Sequence, residues 1–184
     1  ASGLEAQLAL AVIAIIAVAL SMIVSAHNES ERRKVWAAIA ERLGFEVRGA
    51  DHLVGVLDES EVEVSIVTRG SGKNKRTYTR IQAIGGMPSG LTLGREGFFS
   101  SFSDDIRLGD ADFDSEVRVG GDEGLALAVL DDHMRLIVRG AIRTGWTLVN
   151  GMWAIETSGR PKQELETFIK TAAGLTKATR EAGR

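Results

Sequence analysis

Residues 8–26 read LALAVIAIIAVALSMIVSA, nineteen positions without one charge. As a helix rising ~1.5 Å per residue the run is ~28 Å long, close to the hydrocarbon thickness of a bilayer. A helix buried in a soluble core is shorter or keeps a polar face, whereas this one is apolar on every side. The run therefore predicts a transmembrane helix at 8–26, preceded by a short segment at 1–7. Ala9, Ala11, Ala14, Ala17 and Ala19 give it a small-residue surface suited to close helix–helix packing, without a GxxxG pattern.

A cleaved secretory signal is the rival reading, and Val24-Ser25-Ala26 does resemble a small-residue cleavage site. Against it, the segment before the run carries Glu5 and no Lys or Arg, and the apolar stretch exceeds an ordinary signal core. Arg32, Arg33 and Lys34 follow the run. The positive-inside rule then places the N-terminus outside and the C-terminal domain in the cytoplasm. Glu29 and Glu31 weigh little in that rule.

The helix is expected to continue beyond the run. Residues 27–44 contain no Pro, and their one Gly, Gly44, stands where a helix stops. Val35, Trp36, Ile39, Ala40 and Leu43 fall on one face, predicting that this extension packs on the folded domain and couples it to the membrane. His27 is read as an interfacial polar residue.

After Gly44 the pattern alternates. FEVRG, HLVGVLD, SEVEVSIVTRG and NKRTYTRIQAIGG read as four strands, with LTLGREG and SEVRVGG as two more. Residues 61–84 form the clearest hairpin: folding about residues 70–73 sets Glu63 opposite Arg80 and Val62 opposite Ile81. From Asp122 the period becomes helical. One helix runs to Leu130, and a second, capped by Asp131, runs to about Arg139, with Leu125, Val129, Leu136 and Ile137 inward. Asn150-Gly151 marks a tight hairpin between two further strands that carry Trp146, Leu148, Trp153 and Ile155. A closing helix begins near Pro161 and buries Leu165, Phe168, Ile169, Ala172 and Leu175. The fold class is α+β: a transmembrane helix extending into a long helix, then a mainly antiparallel sheet with helices packed on one face, making a soluble domain of residues 45–184.

The segment GDADFDSEVRVGGDEGLALAVLDDHMRLIVRGA, and upstream LGFEVRGADHLVGVLDESEVEVSI, resembles a group of uncharacterised bacterial membrane-anchored proteins. The resemblance covers about residues 36–157. It implies a membrane-tethered domain of unknown activity and brings no catalytic residues with it.

Candidate chemistry is sparse. With Lys+Arg 22 against Asp+Glu 25, the charge balance does not favour nucleic acid as a partner. Cysteine is absent, which removes disulfides and thiolate metal sites. GSGK at 70–73 lacks the leading Gly and the trailing Ser or Thr of a phosphate-binding loop, and it joins two strands. Arg69, Lys73, Lys75, Arg76 and Arg80 make the same tip basic, suited to anionic headgroups or a partner's acidic surface, with a solvated face as the plain alternative. Asp110, Asp112 and Asp114 begin like a calcium loop, but Ser115 and Gly121 stand where Gly and Glu are required; Phe113 is read instead as a core anchor on the approach to a strand. His52 and His133 lack a helical His partner, so no metal site is expected. Phe98, Phe99 and Phe102 are either core or an exposed patch.

No catalytic residue, cofactor or metal is assigned. The expectation is a single-pass, non-enzymatic accessory or scaffold subunit of a bacterial membrane assembly, with membrane lipid and other membrane proteins as partners. Two alternatives stand beside it. One is a pilin-like filament subunit, since Glu5, the apolar run, a long helix and an antiparallel sheet resemble mature type IV pilins, although their aromatic first residue and helix-kinking Pro are missing. The other is a membrane-tethered sensor or enzyme whose site is too scattered to read.

Overall fold

A computed structural model describes residues 2–49, 51–95, 105–158 and 164–183, with side chains described from residue 14 onward. The chain divides into two compact units, residues 1–38 and 39–184. Helix α1, Ser2–Leu43, is unbroken over 42 residues. It ends as Gly44 predicts. Gly44 adopts φ +69, and the Phe45 amide turns back to the Ala40 carbonyl at 2.9 Å, a glycine-terminated helix stop.

All eight strands expected from alternation are present: β1 (Glu46–Arg48), β2 (His52–Leu57), β3 (Ser60–Arg69), β4 (Arg76–Ile84), β5 (Leu91–Arg95), β6 (Val117–Gly121), β7 (Thr147–Val149) and β8 (Met152–Ser158). They form one antiparallel sheet in the order β1-β2-β3-β4-β8-β7-β5-β6. Between them lie α2 (Ala111–Glu116), α3 (Glu123–Val129) and α4 (Asp132–Arg143), and α5 (Leu165–Ala182) closes the chain.

One cross-strand row carries the core. Gly55, Val62, Ala83, Trp153, Leu148, Leu93 and Val119 lie side by side across seven strands. The six with side chains are essentially inaccessible, and complete burial of one large apolar side chain stabilises by about 1.5–3 kcal/mol. Phe45 lies over Gly55, where a Cβ would fall 2.1 Å from its ring. α5 covers this face at β3, β4 and β8, α4 covers it at β5, and the two helices touch. The helices therefore share one face, and the alternate residues of every strand point to the other.

The β3–β4 register differs from expectation. Val62 pairs with Ala83, Glu63 with Gln82, Val64 with Ile81 and Ser65 with Arg80. The connection spans residues 70–75, with a 3-10 turn at Gly72–Asn74, instead of the four residues 70–73. The longer turn moves the pairing by two positions, an even shift that preserves each residue's face.

Other departures are local. α4 runs on to Arg143, one turn past Arg139, and Leu136 is exposed where it was expected inward; Met134, Val138, Ala141 and Ile142 form the buried stripe instead. The approach to β6 is a short helix, not extended chain, although Phe113 is buried as expected. The described part of the closing helix begins at Leu165, and Pro161 lies outside the described residues.

Candidate functional site

The sheet face opposite the helices carries a polar strip that strand pairing assembles. Arg80 on β4 lies directly across from Glu156 on β8. Its Nε and Nη2 donate to Glu156 Oε1 at 2.9 and 2.6 Å. Arg69, near the end of β3, donates to the same carboxylate, Nε to Oε2 at 2.8 Å and Nη2 to Oε1 at 2.6 Å. The hydrogen bonds from Arg69, supported by those from Arg80, hold the Glu156 carboxyl below its ordinary range, and Glu156 in turn raises Arg69. Beside this group, Glu63 accepts from Gln82 Nε2 at 2.7 Å, and its other oxygen lies 2.6 Å from His52 Nε2. A carboxylate kept ionised between two guanidinium groups ties three strands together and is poorly placed to exchange protons.

This arrangement sorts the basic residues expected at the tip. Arg69 and Arg80 are neutralised by Glu156. Lys73, Lys75 and Arg76 are exposed and pair with no carboxylate among the described residues.

The acidic segment has a different use. Asp110 caps α2 by accepting from the Asp112 and Phe113 amides, both at 3.1 Å. Asp114 accepts from the Leu108 and Gly109 amides at 3.0 Å. Glu116, at the end of α2, receives Arg139 (2.7 Å) and Arg143 (2.5 Å), one turn apart on α4. Hydrogen bonds from Arg143 and then Arg139 lower its carboxyl to about 2. Arg135 approaches Asp110 at 3.8 Å, continuing the same row of arginines. These carboxylates thus face cations and amides of their own fold, and among the described residues no three His, Asp or Glu side chains converge as a metal site. His133 is exposed at the start of α4, far along the chain from His52 on β2.

In the N-terminal unit, the apolar side chains Ile15, Ile16, Val18, Leu20, Met22, Ile23 and Val24 are between 52% and 68% exposed. They cover most of the circumference of α1, and the remaining strip carries the small residues Ala14, Ala17, Ser21 and Ser25. Ala14, Ala17 and Ala19 are exposed among them, while the side chains of Ala9 and Ala11 lie outside the described ones. Among the described residues, no helix is long and apolar enough to cross a membrane. Past the apolar run, Arg33 pairs with Glu29 at 2.5 Å and Lys34 with Glu31 at 3.0 Å. Arg32 is buried with its guanidinium 5.7 Å from the Trp36 ring centre. Phe98, Phe99 and Phe102 lie outside the described residues.

No protein-family model, curated protein or solved structure matches the chain. The resemblance over about residues 36–157 therefore rests on its own motifs.

The Glu156 clamp is invisible in the sequence because its members are separated by 76 and 87 positions. Neighbouring-strand patterns give no sign that β4 meets β8. The Glu116 clamp left a signal: Arg135, Arg139 and Arg143 repeat every four residues behind an acidic segment.

Proposed function

We propose that the protein is a single-pass, membrane-anchored, non-enzymatic accessory or scaffold subunit of a bacterial membrane assembly. The uncharged run at 8–26, on a helix whose described large apolar side chains stand exposed, carries the reading. Water is a poor solvent for such a surface, and a bilayer or a helix bundle within one is a good one. Ala9, Ala11, Ala14, Ala17 and Ala19 are the small residues proposed to let a neighbouring transmembrane helix approach closely. Arg32, Arg33 and Lys34 favour a cytoplasmic C-terminal domain and an outside N-terminus. Support for a non-catalytic role comes from the carboxylates at Glu156 and Glu116, each held by two arginines in a structural tie.

The test is the state of the full chain in mild detergent after extraction from its native membrane. The proposal expects a species larger than the monomer, with other membrane proteins co-purifying. A lone monomer from which native pull-downs recover nothing contradicts it.

A pilin-like filament subunit is the second reading, favoured by one observation: the helix that contains Glu5 runs without interruption for 42 residues before the sheet begins. Protease added to intact cells separates the two. An accessible C-terminal domain supports the filament, and a protected one supports the cytoplasmic scaffold.

A further inference from the structure

The chain's charge is segregated. Residues 64–95 hold six of its 22 Lys and Arg and none of its 25 Asp and Glu. Within that segment the β3–β4 hairpin outreaches the described parts of its neighbours. The last residue that β2 pairs is Ser65, and the last that β8 pairs is Tyr78. Beyond them Thr68 and Arg69 pair only with Thr77 and Arg76, so among the described residues the hairpin ends as a narrow two-stranded arm.

The tip of the arm is a defined turn. Gly70 takes φ +85, and a Cβ there would lie 2.5 Å from the Asn74 carbonyl oxygen, so the chain doubles back more tightly than a side chain permits. The 3-10 turn closes with Asn74 N to Ser71 O at 3.2 Å. Arg69 and Arg76 stand directly opposite each other, a like-charge pairing that opposes strand association. Glu156 relieves Arg69. Nothing described relieves Lys73, Lys75 or Arg76. The fold thus concentrates unneutralised positive charge on a projecting turn.

We infer that the β3–β4 arm is a second membrane contact, with Lys73, Lys75 and Arg76 seated against the headgroups of an anionic bilayer. This rests on the anchor proposed above for its proximity to lipid. Anionic lipid is the favoured partner because a compact turn with three free cations and no apolar residue between Gly70 and Arg76 offers charge without a packing surface. That combination suits a diffuse layer of headgroups better than a shaped protein site.

The absence of cysteine makes the test direct. Ser71 is exposed and its side chain makes no capping bond, so Ser71→Cys provides a single thiol for an environment-sensitive fluorophore. The full chain is reconstituted with vesicles of phosphatidylcholine alone and with vesicles in which part of that lipid is replaced by phosphatidylglycerol. The inference expects a blue shift only with the anionic vesicles. It also expects the shift to vanish near ~1 M salt, where the screening length is ~3 Å. Combined Lys73→Gln, Lys75→Gln and Arg76→Gln changes weaken the contact equilibrium roughly a hundredfold, about fivefold per cation. Lys177→Gln, a charge removed from α5, leaves it unchanged.

Flotation with neutral vesicles reports on the anchor separately. A chain that floats with neutral lipid but shows no anionic shift overturns this inference and leaves the anchor standing. A chain that fails to float with neutral lipid, yet shows a salt-sensitive anionic shift, does the reverse. A shift seen only with a soluble acidic protein overturns the lipid assignment.

Discussion

The indole Nε1 of Trp153 donates to the hydroxyl of Thr179 at 3.4 Å, in the middle of the core. Both residues are buried, and the Thr179 hydroxyl itself donates back along α5 to the Leu175 carbonyl at 2.9 Å. This bond locks the largest side chain of the sheet to the closing helix. Thr179→Val keeps the volume but removes the acceptor, leaving a buried N–H without a partner. A loss of about 1–3 kcal/mol is expected by urea denaturation. Thr179→Ser should retain most of the stability. Equal losses from both substitutions would show that the methyl group, not the hydroxyl, matters there.

A second prediction concerns Gly55. It sits on the helix-facing side of β2 with the Phe45 ring where its Cβ would be. Gly55→Ala should cost about 1–3 kcal/mol by overpacking. Adding Phe45→Leu, which shortens the opposing side chain, should recover part of that loss. An alanine tolerated without cost would place Phe45 elsewhere.

The turn between β2 and β3 is built from Asp58 and Glu59, both with positive φ (50 and 61). Arg180 of α5 steadies it by donating to the Asp58 carbonyl at 3.0 Å and the Glu59 carbonyl at 3.1 Å. A β-carbon at positive φ costs roughly 1–2 kcal/mol. Glu59→Gly should therefore raise the thermal midpoint, and Arg180→Ala should lower it. A lowered midpoint in Glu59→Gly would contradict this account of the turn.

Acid should unfasten α2 from α4. The Glu116 carboxyl lies at about 2 in the folded chain, against an ordinary value of 4.5. A depressed carboxyl contributes its full stabilisation above the ordinary value. That contribution is lost as pH falls from there toward 2. The stability difference between the wild type and Glu116→Gln, followed by denaturant midpoints along a pH series, should be largest near neutrality and shrink over that window. A difference independent of pH would mean that the two arginines do not favour the ionised form.

Much of the fold was legible because its signals are local. Alternation marked every strand, Asn150-Gly151 marked its hairpin with φ 51 and 77, and Asp122 and Asp131 marked the starts of α3 and α4, where both cap in the structure. What was not legible is long-range or set by loop geometry. Two extra residues in the 70–75 turn moved Arg80 away from Glu63 and beside Ser65, with Glu156 across the next strand as its acid. Leu136 fits a helical apolar stripe by spacing alone, yet the stripe that meets the core runs through Met134, Val138, Ala141 and Ile142. The acidic residues at 110–116 resembled a cation loop because spacing alone does not show their partners, backbone amides for Asp110 and Asp114 and two arginines of a later helix for Glu116. The apolar run of α1 was the plainest signal of all, and it is the one whose meaning depends on a solvent that the polypeptide alone does not supply.

Alkaline extraction of native membranes tests that meaning most directly. The full chain should remain with the lipid pellet, and a chain deleted for residues 8–26 should move to the supernatant. Release of the intact chain into the supernatant would contradict the membrane anchor and the scaffold role built on it.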